Sequence, residues 1–288
     1  MRQLPERRRA STPPSLRRSR LWPVLALLAL PVPAAAQPHA RGAAPAGIPV
    51  RYVEGSVHGF LRLSTADGKP LADGDLVQVV RDSTIESRMV FAFRDSSVFE
   101  ETVTFTQRDV FTVLRYHLLQ RGRAFATDLD ATLLRSGDYQ VTSTAHPRGA
   151  QQHYSGKLAL PPDVYNGMVI TIAKNLSVGT TTTVHFVAFT PKPRLIGLEL
   201  TGASAPPTAL GRHTERTVRF TLKPRLGPLV HLFASLLGRV PPDSHAWIVT
   251  EGSPAFVRFE GPMYLGPVWR LDLVAPAASN DAPAARPL

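Results

Sequence analysis

From residue 53 to residue 273 apolar and polar side chains keep changing places with a period of two, and that rhythm constrains the fold more than any other feature. In 85–94, Ile85, Met89, Phe91 and Phe93 share one face, while Glu86, Arg88 and Arg94 lie on the other. After the polar turn Arg94-Asp95-Ser96-Ser97, Phe99, Val103 and Phe105 alternate with Glu100, Thr102 and Thr104. Two such runs joined by a short polar turn form a β-hairpin signal. Val218, Phe220 and Leu222 alternate with Arg219, Thr221 and Lys223, and Trp269, Leu271 and Leu273 with Arg270 and Asp272. One apolar and one polar face per strand imply an antiparallel sheet with one side in water.

Further strands are predicted over 53–63, 74–81, 110–119, 127–134, 138–145, 153–160, 181–189, 194–201, 246–250 and 255–260. The total is about fourteen, at the spacing of a meander or barrel. Two segments break the rhythm. Pro161-Pro162-Asp163 leads into Val164, Met168, Ile172 and Leu176, an apolar line at helical spacing, although Asn166-Gly167 would equally make a turn. The second, 228–237, is apolar around its whole circumference through Leu229, Val230, Leu232, Phe233, Leu236 and Leu237. A helix of that kind is buried as core, lies across a cavity as a lid, or meets a membrane surface.

The start of the chain carries an address. Seven arginines precede the apolar run Leu21–Leu30, and Ala34-Ala35-Ala36 offers a small-residue cleavage site before Gln37. This is the layout of a secretory signal peptide over 1–36, with an apolar run short of the roughly 20 residues a bilayer span requires. Arg17-Arg18 admits twin-arginine export, but Arg20 stands where such signals turn apolar, which favours ordinary secretion. Seven arginines against Glu6 place six of the eleven excess positive charges in this leader. The remaining basic residues are scattered along strands, so no nucleic-acid partner is expected. There is no cysteine, hence no disulfide framework and no thiol for a lipid anchor at the cleavage point. The Ala/Pro-rich stretches 37–49 and 275–288 read as a flexible lead-in and a disordered tail around a single β-rich domain over 50–274. No later apolar run is long enough to span a membrane.

Chemistry-bearing patterns are sparse. Asp128 and Asp130 share one face of a strand, about 7 Å apart, a spacing open to carboxylate-pair chemistry on a glycosidic bond and equally to a solvated polar face. The histidines show no metal-ligand spacing, and no nucleophile elbow, P-loop or dinucleotide fingerprint occurs. No metal or cofactor is expected. The aromatics Trp247, Phe256, Phe259, Tyr264 and Trp269 cluster in the last quarter, either as core or as the wall of a ligand site.

The order of the SRMVFAFRDSSVFEETVTF hairpin, LPPDVYNGMVITIAKNL, TVRFTLKP and the closing EGPMYLGPVWRLDL resembles that of uncharacterised bacterial periplasmic proteins. In architecture these are similar to the lipoprotein-carrier and lipoprotein-receptor group of the Gram-negative envelope. The resemblance implies a mainly β fold: a large curved antiparallel sheet or incompletely closed β-barrel with one or two helices packed in its concavity. The expected function is non-enzymatic binding of a lipophilic ligand in that half-barrel, in the periplasm or outside the cell. Leu229, Phe233, Leu236, Leu237 and Trp247 are the expected contacts, and peripheral membrane contact is a neighbouring version. The alternatives are an envelope hydrolase or carbohydrate-binding protein using Asp128 and Asp130, and a structural or assembly factor of the envelope.

Overall fold

A computed structural model describes residues 47–274, apart from 148, 191–192, 211–212, 228–241 and 265. The leader, the tail after 274, and Leu229, Phe233, Leu236 and Leu237 lie outside the described residues. The strands are β1 (Val57–Thr65), β2 (Pro70–Arg81), β3 (Thr84–Phe93), β4 (Val98–Gln107), β5 (Phe111–Arg121), β6 (Thr127–Leu134), β7 (Asp138–Ala145) and β8 (Gln151–Lys157). A short helix, α1 (Val169–Asn175), separates them from β9 (Thr181–Ala188), β10 (Arg194–Leu210), β11 (His213–Arg225), β12 (Ser244–Val249), β13 (Ala255–Gly261) and β14 (Trp269–Val274).

All fourteen described strands belong to one curved antiparallel sheet, in the order β8 back to β1, then β14 back to β9. Every strand pairs with its sequence neighbours, except that β1 also pairs with β14 and, among the described residues, β8 and β9 are not paired. The two ends of the folded chain therefore meet in the middle of the sheet. The open seam falls instead at the connection that carries α1.

Register sorts the side chains into two faces, because directly opposed residues of antiparallel strands point the same way. One row runs Leu63, Leu271, Phe259, Ala246 and Phe220 across five adjacent strands. Four of these are buried, and Phe259 is packed against the same core. A row on the opposite face runs Asp73, Arg62, Asp272, Arg258, Trp247 and Arg219. There Arg258 Nε donates to Asp272 Oδ1 at 2.8 Å, and Arg270 Nε donates to Asp272 Oδ2 at 2.7 Å. The sheet is thus apolar inside and charged outside, as the period-two rhythm requires.

The hairpin β10–β11 runs further than the predicted 194–201 and 218–222. Pro206-Pro207 would ordinarily end a strand, since proline cannot donate to the ladder. Here both prolines sit in a bulge between Ala205 and Thr208, and Thr217 Oγ1 donates to the Pro206 carbonyl at 2.9 Å. The extra residues absorb the missing donors while pairing resumes beyond them.

The first predicted helix is shorter than its apolar line. Val164 forms a parallel bridge with His185 of β9: Tyr165 N donates to His185 O and His185 N to Asp163 O, both at 2.9 Å. Asn166 then takes the place of a further strand residue. Its Oδ1 accepts from Val187 N at 2.8 Å, and its Nδ2 donates to Val187 O at 2.9 Å. Gly167 turns the chain at φ +73° with Tyr116 and Val103 pressed close, and only then does α1 begin. Residues 163–166 therefore cover the edge of β9, where a helix would leave it bare.

A helix of seven residues is too short to hold itself. It lies against β12 and β13, burying Ile172 and Ala173, and is tied from the other side by the chain entering β1. Asn175 Oδ1 accepts from the backbone N–H groups of Arg51 and Tyr52, each at 2.8 Å, and Lys174 pairs with Glu54. Ile48 and Pro49, the last residues of the predicted flexible lead-in, are held as well. Ile48 is buried, its N–H donates to the Tyr165 hydroxyl at 2.8 Å, and Pro49 bridges Val110.

Candidate functional site

The apolar face of the sheet and α1 line an open-sided cavity of about 320 Å³. This is at the small end of the range for small-molecule sites, roughly 300–1,000 Å³. Leu76, Met89 and Val103 line it from the β2–β4 side, and Ile196, Leu198 and Leu222 from the β9–β11 side. Phe256, Phe259 and Tyr264 close one wall, with Val169 and Ile170 of α1. Leu226 and Pro242, on either side of 228–241 in sequence, also line it.

Among the described lining residues the carboxylates and the single ammonium are Glu54, Glu101 and Lys174. Glu54 and Lys174 satisfy each other: Lys174 Nζ reaches Glu54 Oε1 at 2.5 Å and Oε2 at 2.7 Å. Gln78 Nε2 adds a contact to Glu54 Oε2 at 3.3 Å, and Gln107 clamps the Glu54 backbone on both sides. A buried carboxylate held this way meets the requirement that buried charge be paired and hydrogen-bonded.

Glu101 is different. On β4 it falls in phase with Phe99, Val103 and Phe105, so it points inward, opposite Met89 on β3 and Leu118 on β5. Its Oε1 accepts from the Tyr116 hydroxyl at 2.7 Å. Among the described residues its Oε2 has no hydrogen-bond partner and no cation pairs with it. Burial pushes the Glu101 carboxyl above the usual carboxylate range, and the Tyr116 bond only partly opposes this. Burial and the neighbouring Glu101 together push the Tyr116 hydroxyl up, keeping it a donor. Tyr116 is in turn fixed by stacking on Phe189, with ring centroids 6.1 Å apart and 3° between planes. Tyr264 is pushed up by burial too; its hydroxyl accepts from Phe189 N at 2.5 Å.

The expected contact Trp247 is not among the lining residues. It stands in the outer charged row, with the Arg258 guanidinium 5.8 Å from its ring centroid and His245 edge-on to it at 6.0 Å. The late aromatic cluster therefore divides. Phe256, Phe259 and Tyr264 face the cavity, Trp247 faces outward, and Trp269 packs with Phe93 and Phe125 in the core.

Asp128 and Asp130 are likewise absent from the cavity wall, and each is engaged separately. Asp128 Oδ1 accepts from Gly122 N at 2.7 Å and meets His146 Nε2 at 2.8 Å. Asp130 Oδ1 meets His117 Nε2 at 2.9 Å. His58 with Asp75 and His185 with Asp163 repeat the same pairing elsewhere. No group of three or more His, Cys, Asp or Glu that would hold a metal ion occurs among the described residues. No helix among them is long and apolar enough to cross a membrane.

Glu101, Tyr116 and the Glu54–Lys174 pair are not among the residues that the sequence patterns single out. For Glu101 the signal was present: its number has the parity of the inward row, so it is the single charged residue on the apolar face of 99–105. Glu54 and Lys174 are 120 residues apart and left no local trace.

No family model matches the chain, and no curated protein matches it. A similar solved structure is that of a beta-barrel-like protein of Domain of Unknown Function DUF1849 from Brucella abortus, at 9% identity and a TM-score of 0.36, covering 78% of this chain and 98% of that one.

Proposed function

We propose that this is an exported, non-enzymatic protein of a bacterial envelope that binds a lipophilic small molecule inside its open barrel. The observation that carries the reading is the apolar cavity of about 320 Å³ on the concave face of a sheet whose outer face is charged. Protein interiors ordinarily close such space, leaving few voids larger than a water molecule. Here the surrounding side chains are held apart by their own anchors, Glu54–Lys174 on one side and Tyr264–Phe189 on another. A preformed apolar space with a few placed polar groups is the usual make-up of a small-molecule site. The leader Leu21–Leu30 with Ala34-Ala35-Ala36 supports the exported location.

The test is binding of the neutral dye N-phenylnaphthylamine, read by fluorescence, together with native mass spectrometry of protein purified without detergent. Wild type should bind the dye or carry a co-purified lipophile. Leu198→Trp, which fills the cavity from β10, should bind at least about tenfold more weakly while keeping its circular dichroism. Equal binding by wild type and the filled variant, or none by wild type, would refute the reading.

A further inference from the structure

We propose that the cavity selects amphiphiles whose polar end is a protonated amine, and that Glu101 is the group that holds it. The inference rests on the cavity being a ligand site and names the chemistry of what enters. Glu54 and Lys174 cancel within 2.7 Å of each other, so the described lining offers no free cation. A fatty-acid carboxylate entering this space would meet a second carboxyl and no partner. An ammonium would meet Glu101, the acidic group of the described lining that has no cation beside it among the described residues.

Geometry favours the same end group. Glu101 stands opposite Met89 and Leu118 in an apolar row, its backbone fixed by pairing on both sides. Tyr116 occupies Oε1 at 2.7 Å and is itself stacked on Phe189, which leaves Oε2 without a partner among the described residues in a side chain that lines the cavity. Glu101 is half-buried in a largely apolar wall, where a carboxyl is costly to ionise, and a cation arriving with its own hydrogen bonds offsets that cost. The apolar tail of the same molecule would lie along Leu76, Ile196, Leu198 and Phe259. Wall and end group together specify an alkylamine-like ligand.

Three probes of one chain length separate the contributions: decylamine, decanol and decanoate, titrated by dye displacement below their micelle-forming concentrations. Wild type should bind decylamine tightest and decanoate weakest. Glu101→Gln keeps the shape and an acceptor but removes the charge. It should weaken decylamine by about ten- to hundredfold, the worth of a charge-assisted hydrogen bond, and leave decanol unchanged. Leu198→Trp should weaken all three alike, which separates cavity binding from adhesion to the charged outer face. Decanoate binding as well as decylamine, or an amine preference that survives in E101Q, would overturn the assignment to Glu101 while the lipophilic cavity stood. Failure of all three probes and of the dye would overturn both. If E101Q does not fold, the ranking in wild type decides alone.

Discussion

Asn166 replaces a strand by a single side chain, and the substitution of that side chain has a calculable consequence. Val187 is fully buried at the edge of β9, and its N–H and C=O are met at 2.8 and 2.9 Å by the two ends of the Asn166 amide. Leucine has nearly the same shape and neither a donor nor an acceptor. Asn166→Leu would thus strand two backbone groups that solvent does not reach. Each buried, unsatisfied peptide group costs about 1–3 kcal/mol, and the added apolar contact returns part of this, so the unfolding free energy should fall by about 2–3 kcal/mol. Urea denaturation measures that loss. Amide exchange at Val187 should accelerate more than exchange at Leu198 within the neighbouring pair. The turn at Gly167 leans on Tyr116, so dye binding should weaken with stability. A loss under about 0.5 kcal/mol, with Val187 exchange unchanged, would show that the edge does not depend on this amide.

Two further outcomes follow from the same structure. Gly137 turns between β6 and β7 at φ +90°, and a Cβ there would meet the Leu158 carbonyl oxygen at 2.0 Å, so Gly137→Ala should destabilise by about 1–3 kcal/mol in urea, and a neutral result would refute the placement of Leu158. Because burial raises the Glu101 carboxyl, the folded chain keeps a proton that the unfolded chain releases from about pH 4 upward. Stability is therefore lost as pH rises through that interval. Glu101→Gln should remove this part of the slope and be at least as stable as wild type near about pH 8, and an unchanged slope would show that Glu101 ionises freely.

The sheet was legible because its physical cause is local. A strand with one wet face alternates over a few residues, and fourteen such stretches could be read one at a time without knowing their partners. The departures occur where distant parts intervene. Pro206-Pro207 looks like an end until β11 supplies Thr217 and a bulge absorbs it. Val164 looks helical until β9 offers an unpaired edge and Asn166 answers it. Ile48 looks like lead-in until Tyr165 and Phe111 give its backbone partners. In each case an isolated segment has one preference, and an unsatisfied backbone group elsewhere in the fold has overridden it.

The cavity was legible only in part, for a reason that bears on how such proteins are read. Its apolar wall is written in the same alternation as the core, so pattern cannot tell lining from filling. The aromatics show this, since Phe259 lines the cavity while Trp269, in an equivalent alternating strand, packs solidly against Phe93. What does distinguish a lined space is a polar residue in the inward phase. A sealed core disfavours a carboxyl with a single hydrogen bond, because its desolvation is only partly offset. In the Phe99–Phe105 row Glu101 is half-buried, bonded to Tyr116, and lines the cavity. The same parity test picks out Gln78 and Ser87, which face each other across β2 and β3 and also line the cavity. In a sheet of this kind the break in the apolar row, more than the row itself, marks where the wall borders the cavity.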